Sequence, residues 1–220
     1  MSIRVLIADD QEIIRAGLAT ILNGQPDIEV VAQAGDGHEA VRRAQQMRPD
    51  VCLFDIRMPH LDGIAATRAL AGPDVEDPLA VVVITTFDTP EHISGALAAG
   101  ARGFLLKDAG PALLVQAIHA AAEGDALIAP SVTVRLLSRF AESASPSIAP
   151  VQPVVPLTER EEDVTEAIAA GLTNAEIAGR LYISLSTVKF HVSSIMDKVG
   201  ARSRVQVVIW AYETGRARRP

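Results

Sequence analysis

Along its first half the chain repeats one pattern: a short unbroken apolar run, a polar break, then a stretch with apolar positions three and four apart. The unbroken runs are Val5-Leu6-Ile7-Ala8, Val51-Cys52-Leu53-Phe54, Val81-Val82-Val83-Ile84 and Gly103-Phe104-Leu105-Leu106. Apolar runs without alternation belong to strands buried on both faces, as in a parallel sheet covered by helices. The pattern predicts strands near 4–8, 29–34, 51–55, 80–85 and 103–106. It predicts helices over Glu12–Asn23, His38–Arg48, Gly63–Ala71 and Pro90–Ala99, and a fifth from Pro111, a favoured first-turn residue, to about Glu123. Strands alternating with helices make an α/β sheet wound on both faces.

Beyond residue 125 the pattern changes. A helical extension is expected at Ser131–Phe140. Residues 141–156 then carry four prolines and no helical periodicity, the composition of a linker. From Leu157 onward the strand signals stop. Thr158 and Glu161 have the spacing of a capping box, and Thr173 and Glu176 repeat it just after Gly171, a helix stop. A third helix is expected from Ser184–Ser186 to Gly200, with Val188, Val192, Ile195 and Val199 at core spacing. A fourth holds Val205, Val208, Ile209 and Tyr212. Four short helices with a tight turn between the second and third form a helix-turn-helix. The expected parts are therefore 1–125, a 126–156 extension and linker, and 157–220.

Composition narrows the class. The chain is 49% hydrophobic and 4% aromatic, which suits an aliphatic α/β core. No apolar run approaches the roughly 18 residues of a membrane span, and Asp9 and Asp10 come too early for a signal peptide. A cytoplasmic protein with no membrane partner is expected. Cys52 is the single cysteine, which excludes an internal disulfide and reads as a small core residue. The histidines show no zinc-ligand spacing. The net charge of −7 divides unevenly: residues 1–137 carry 10 basic and 18 acidic side chains, whereas from Gly171 there are 8 basic and 3 acidic. An acidic front and a basic tail suggest two modules, the second able to approach a polyanion.

The strand ends carry the chemistry. Asp9 and Asp10 close the first strand, Asp55 the third, Thr85 the fourth and Lys107 follows the fifth. Open parallel sheets bind their ligands at this edge. A carboxylate can attack phosphorus to form an acyl phosphate. Bringing a phosphodonor close to three acids needs a cation, and Mg²⁺ suits an all-oxygen site. Asp10 and Asp55 would be direct ligands, Asp9 direct or through water, and the Arg57 carbonyl would complete the set. Lys107 would pair with the phosphoryl oxygens and Thr85 donate to one of them. Any one of these residues alone would be an ordinary turn acid or surface charge; their common position makes them one site.

These residues also carry a resemblance. Ala8-Asp9-Asp10-Gln11, Asp55-Ile56-Arg57-Met58-Pro59, Asp62-Gly63, Thr85-Thr86 and Gly103-Phe104-Leu105-Leu106-Lys107 resemble the receiver domain of two-component response regulators over residues 1–125. Residues 157–214 resemble the LuxR-type helix-turn-helix, through Leu157-Thr158-Glu159-Arg160-Glu161, the stretch Gly171–Ala178 and the stretch Ser186–Val192. The pairing is similar to that of the NarL/FixJ family. The resemblance implies a five-stranded, flavodoxin-like parallel sheet in the order 2-1-3-4-5, followed by an all-α four-helix domain. It implies a transcription regulator, not an enzyme, whose Asp55 is phosphorylated by a sensor histidine kinase. Phosphorylation would promote a homodimer and sequence-specific binding to double-stranded DNA, with RNA polymerase a further partner. It also implies that Thr85 and Phe104 act as a coupled switch, the hydroxyl moving toward the phosphate as the ring moves inward.

In a helix-turn-helix the second helix enters the major groove. Lys189, Phe190 and Ser193 lie on overlapping faces of that helix: Lys189 suits guanine, Phe190 a thymine methyl, and Ser193 a base or a phosphate. Thr173, Asn174, Thr187, His191, Lys198 and Arg202 are the phosphate candidates. Two positions depart from the family's habit: many relatives carry Thr where this chain has Phe190, and a basic residue often replaces Ala175. The modest charge of the tail points to a dimer. Val205, Ile209 and Tyr212 offer a seam for it, although a core helix packed around Trp210 would use the same positions. Two other functions compete. A Mg²⁺-dependent phosphohydrolase would need a second acid where Arg57 stands. A constitutive or ligand-controlled DNA binder would carry a vestigial receiver.

Overall fold

Each apolar run of the first half forms a strand of one parallel sheet. In the computed structural model, which describes residues 2–86, 89–125, 127–128, 155–201 and 204–216, these strands are β1 (Ile3–Ala8), β2 (Ile28–Ala34), β3 (Val51–Asp55), β4 (Ala80–Thr85) and β5 (Gly103–Leu106). They lie in the order β2-β1-β3-β4-β5, as the resemblance implied. A sixth strand, β6 (Leu127–Ile128), pairs in parallel with Gly103 and Phe104 at the β5 edge. Two residues are too short a run to signal a strand, so only the pairing reveals it. Residues of β3 and β4 are buried throughout, whereas β2, at the edge, alternates between buried and exposed.

The helices are α1 (Glu12–Asn23), α2 (Gly37–Met47), α3 (Gly63–Ala71), α4 (Pro90–Ala98) and α5 (Pro111–Ala122). Each turns small or aliphatic residues inward at helical spacing: Leu18 and Leu22 from α1, Ala40 and Ala44 from α2, Ala66 and Leu70 from α3, Leu114, Ile118 and Ala121 from α5. Fully burying each of the larger aliphatics contributes about 1.5–3 kcal/mol. The second helix begins at Gly37 rather than His38 because the Asp36 side chain caps it, accepting from Glu39 N at 2.8 Å.

The chain divides into two units, Met1–Arg139 and Phe140–Pro220. The helical extension expected at Ser131–Phe140 and the linker up to residue 154 lie outside the described residues. In the second unit α6 (Glu159–Ala169), α7 (Asn174–Leu181), α8 (Leu185–Val199) and α9 (Arg204–Glu213) enclose Val164, Ile168, Ile177, Val188, Val192, Ile195 and Val207. Both capping boxes form, at Thr158 with Glu161 and at Thr173 with Glu176. Tyr182, Ile183 and Ser184 make the turn between α7 and α8, and the Ser184 side chain caps α8 by accepting from Thr187 N at 3.1 Å. Gly200 ends α8 with φ at 68°, a left-handed conformation that glycine adopts without a steric penalty.

One glycine governs where Asp55 sits. The start of α3 packs so closely on the end of β3 that a Cβ at Gly63 would overlap the backbone carbonyl oxygen of Asp55. Gly63 N donates to Ile56 O at 2.8 Å, and the Asp62 side chain caps α3 by accepting from Ala65 N at 2.7 Å. The Gly63→Ala variant is therefore expected to push α3 off the β3–α3 loop and destabilise the first unit by about 1–3 kcal/mol. Urea denaturation followed by far-ultraviolet circular dichroism measures this; an unchanged transition would mean the loop absorbs the methyl group freely.

Candidate functional site

At the carboxyl edge of the sheet, β1, β3 and β5 bring Asp9, Asp55 and Lys107 together. Lys107 N donates to Thr85 O at 2.8 Å, which ties the ends of β4 and β5 and points the lysine back over the edge. Its ammonium lies 2.5 Å from Asp9 Oδ2 and 2.9 Å from Asp55 Oδ2. Asp55 Oδ1 accepts from Ile56 N at 2.7 Å, and Asp9 Oδ1 accepts from Gln11 N at 2.9 Å. Arg15, on α1, donates to the Asp9 carbonyl at 2.7 Å. Asp9 and Asp55 are buried, and Asp10 stands exposed beside them. One carboxylate oxygen from each of the three acids lies within 4.8 Å of the others.

The electrostatics follow from this geometry. Burial pushes the Asp55 carboxyl above the ordinary carboxylate range; the Lys107 hydrogen bond and charge oppose that shift, and the Asp9 charge adds to it. For Lys107, burial works against the charged form, yet hydrogen bonds and charges from Asp9 and Asp55 outweigh it and hold the ammonium above its usual value. Oxygen donors at this spacing, two of them buried, match what a small hard divalent cation takes. Thr85 and Phe104 are both buried, and strand register sets Phe104 opposite Val83 and Leu106 opposite Thr85, so the two share a sheet face.

In the second unit, α8 offers one exposed face. Lys189, Phe190 and Ser193 all lie on it, with Phe190 69% exposed and its ring edge-on to His191 at 5.9 Å. Tyr182, in the turn ahead of the helix, is 94% exposed. Val188, Val192 and Ile195 form the opposite, buried stripe.

Residues 5–119 match the response regulator receiver domain family, and residues 155–211 match the bacterial regulatory proteins of the luxR family. The chain is 39% identical over 210 residues to the transcriptional regulatory protein LiaR of Bacillus subtilis, covering 96% of this chain and 97% of that one. It is a response regulator of the NarL/FixJ family. The regulator is also 34% identical over 215 residues to the response regulator protein VraR of Staphylococcus aureus, covering 97% of this chain and 98% of that one. Its structure is similar to that of the response regulator ChrA of a heme-sensing two-component system, with a TM-score of 0.54 and 37% identity, covering 98% of each chain. It therefore joins a receiver to a LuxR-type DNA-binding domain.

Two residues of the regulator that the sequence offered to DNA have partners inside the unit. Asn174 is buried and accepts from Arg204 Nη1 at 2.8 Å. Lys198 turns inward, with Nζ 2.6 Å from the Glu161 carboxylate. In the protein alone these polar groups hold helices of the unit together. Tyr212, placed at a dimer seam, donates its hydroxyl to Ala169 O at 3.2 Å within the unit. Thr173, Thr187 and His191 are half-buried. Arg202 and the side chains of Val205 and Ile209 lie outside the described residues.

Most other cations are also engaged. Arg160 pairs with Asp163 and donates to Leu181 O, while Arg216 stacks 4.4 Å over Trp210 and pairs with Glu162. Among the described residues of the second unit, Arg180 and Lys189 are the basic side chains left exposed without an ion-pair partner. Sequence reasoning passed over Arg180. Its place one residue before the end of α7, ahead of the turn, was the available signal.

Glu161 was read only as a cap, yet it is 3% exposed and accepts from Ser194 Oγ at 2.7 Å as well as from Lys198. Burial raises its carboxyl pKa, but the Lys198, Thr158 and Ser194 hydrogen bonds outweigh that and bring it down to about 2 from 4.5. A pKa depressed on folding contributes stability above the unfolded value that is lost as pH falls toward the folded one. The second unit should therefore lose on the order of 3 kcal/mol from this group between about pH 5 and pH 2. Trp210, the only tryptophan, reports this unit in urea titrations. Glu161→Gln should be less stable than wild type at pH 6, with the gap closing toward pH 2.5. A constant gap would mean that the charge of Glu161 is not what the fold uses.

Proposed function

We propose that Asp55 is the phosphoacceptor of this regulator and that a sensor histidine kinase is the donor. The observation that carries the reading is the convergence of Asp9, Asp10, Asp55 and Lys107 at one sheet edge. Asp9, Asp10 and Asp55, with the Arg57 carbonyl, would hold Mg²⁺, which supplies the positive charge that lets an anionic phosphoryl group approach three acids. Asp55 Oδ2 faces the ammonium and is the oxygen that attacks phosphorus. The phosphorus–nitrogen bond of the donor phosphohistidine breaks, and an acyl phosphate forms on Asp55. Lys107 then exchanges its carboxylate contact for a phosphoryl oxygen, and Thr85 donates its hydroxyl to another. Coupling between Thr85 and Phe104, on one sheet face, carries the change outward.

We divide the chain into a receiver at 1–125, an extension and linker at 126–156, and a DNA-binding domain at 157–220. In the last of these, α8 enters the major groove with Lys189, Phe190 and Ser193 toward the bases. Thr173, Thr187, His191 and Arg202 serve the phosphates. Among the described residues of this domain, two exposed cations have no ion-pair partner, few for a single copy, since phosphate contacts of this kind alone support Kd values of roughly 10⁻⁴–10⁻⁶ M. That scarcity supports a phosphorylation-driven homodimer reading paired half-sites, with RNA polymerase as a later partner. The protein is read as a cytoplasmic transcription regulator rather than an enzyme, Arg57 standing where a hydrolase would need its second acid. No helix among the described residues is long and apolar enough to cross a membrane.

Acetyl phosphate with Mg²⁺ should shift wild-type mass toward a dimer and tighten DNA binding, and should do neither for Asp55→Ala. Light scattering and fluorescence anisotropy read the two effects, and equal responses in both proteins would overturn the phosphoacceptor assignment. Lys189→Ala should weaken binding to a selected duplex and relax its preference at the contacted base pair by about 1–3 kcal/mol, with the slope of log affinity against log salt little changed. Equal weakening on all sequences, with a slope lower by about 0.9 per binding copy, would place Lys189 on a phosphate instead.

A further inference from the structure

The two capping boxes of the DNA-binding unit share a sequence logic and differ in what their acids do. Glu176 is exposed and its carboxylate accepts from Thr173 N at 2.7 Å and Thr173 Oγ1 at 2.8 Å. Glu161 is buried and accepts from four donors: Thr158 N at 2.7 Å, Thr158 Oγ1 at 3.0 Å, Ser194 Oγ at 2.7 Å and Lys198 Nζ at 2.6 Å. The first two belong to the cap of α6. The others belong to α8, one helical turn apart, on the flank between its buried stripe and its exposed face.

This matters because apolar packing is weakly directional. Val188, Val192 and Ile195 keep α8 against the core but tolerate a small roll or slide, since the contacts change little. Hydrogen bonds to a single carboxylate depend on angle as well as distance and resist both motions. The carboxylate is itself tethered, because the backbone N–H of the N-cap donates to it at 2.7 Å. We propose that Glu161 is the positioning residue of α8. Through Ser194 and Lys198 it sets the roll and height of the helix that presents Lys189, Phe190 and Ser193. Lys198 works inside the unit and makes no DNA phosphate contact. The inference rests on the reading of α8 as the major-groove helix. Base-edge contacts need α8 in register, whereas phosphate contacts carry no sequence information. Loss of the network should therefore erode discrimination between sequences before it erodes general affinity.

The test uses the full chain with acetyl phosphate and Mg²⁺ and two duplex probes. One is the tightest duplex that the wild-type protein selects from a randomised pool; the other is a scrambled duplex of the same composition. Kd for both is measured over a salt series for wild type, Glu161→Gln, Ser194→Ala, Lys198→Met and the double variant Glu161→Gln/Lys198→Met. Glu161→Gln and Lys198→Met are expected to lose about tenfold in discrimination with the salt slope unchanged. The double variant should lose no more than the worse single one, because the two groups act as a unit and a lone buried charge is the unfavourable state.

A Lys198→Met protein that weakens on both probes equally, with a slope lower by about one, would make Lys198 a phosphate contact and overturn the proposal. Unchanged discrimination in Lys198→Met and Ser194→Ala would overturn it too, as would losses that multiply in the double variant. Should Glu161→Gln fail to fold by Trp210 fluorescence, Lys198→Met and Ser194→Ala carry the decision. The underlying reading fails by a different signature: Lys189→Ala and Phe190→Ala would then bind both probes as wild type does.

Discussion

Two buried carboxylates share one ammonium in the receiver, and the rest of that unit is arranged so that they can. Carboxylate oxygens up to 4.8 Å apart repel by roughly 3 kcal/mol at an effective dielectric of about 20, a large fraction of the stability of a small domain. Lys107 offsets that repulsion by contacting both Asp9 and Asp55. To reach them it must leave β5 in register with β4, which the bond from its own N–H to the Thr85 carbonyl ensures. Asp55 must stand at the end of a strand buried along its whole length. The absence of a Cβ at Gly63 lets α3 close over that strand end. The site is thus a charge cluster with more acids than cations, held at the sheet edge by one lysine that contacts two of them.

The DNA-binding unit manages charge differently. Most of its described cations are used internally: Lys198 by Glu161, Arg204 by Asn174 and the Leu172 carbonyl, Arg216 by Glu162 and the Trp210 ring, Arg160 by Asp163 and the end of α7. A small helical domain has little apolar interior, and hydrogen-bonded charges between helices supply orientation that apolar packing alone leaves loose. The consequence is that, among the described residues of this unit, Arg180 and Lys189 are the exposed cations without an ion-pair partner.

Much of this was legible in the chain. The five strands and the nine described helices were found from periodicity and caps, with ends displaced by a residue or so. The Asp36 cap drew Gly37 into α2, and the two-residue β6 was missed because its only signature is pairing with β5. Asp9, Asp10, Asp55 and Lys107 were recognised as one site because each closes or follows a strand, and the parallel topology brings such ends to one edge. The contacts that were not legible sit on the helices of the second unit. Asn174 and Lys198 are polar residues near the expected DNA face, and nothing in their local spacing distinguishes outward from inward.

The sequence by itself determined the order of elements, the two-part organisation and the residue types available at the sheet edge. These depend on short-range rules: helical and strand periodicity, capping spacing and the steric demands of proline and glycine. Only the tertiary structure decided which polar groups meet. Lys107 reaches an acid 52 residues away, Lys198 one 37 away, and Arg204 an amide 30 away. Such partners are chosen by how strands register and helices roll against a shared core. That is a property of the packed chain, and no local window of residues contains it.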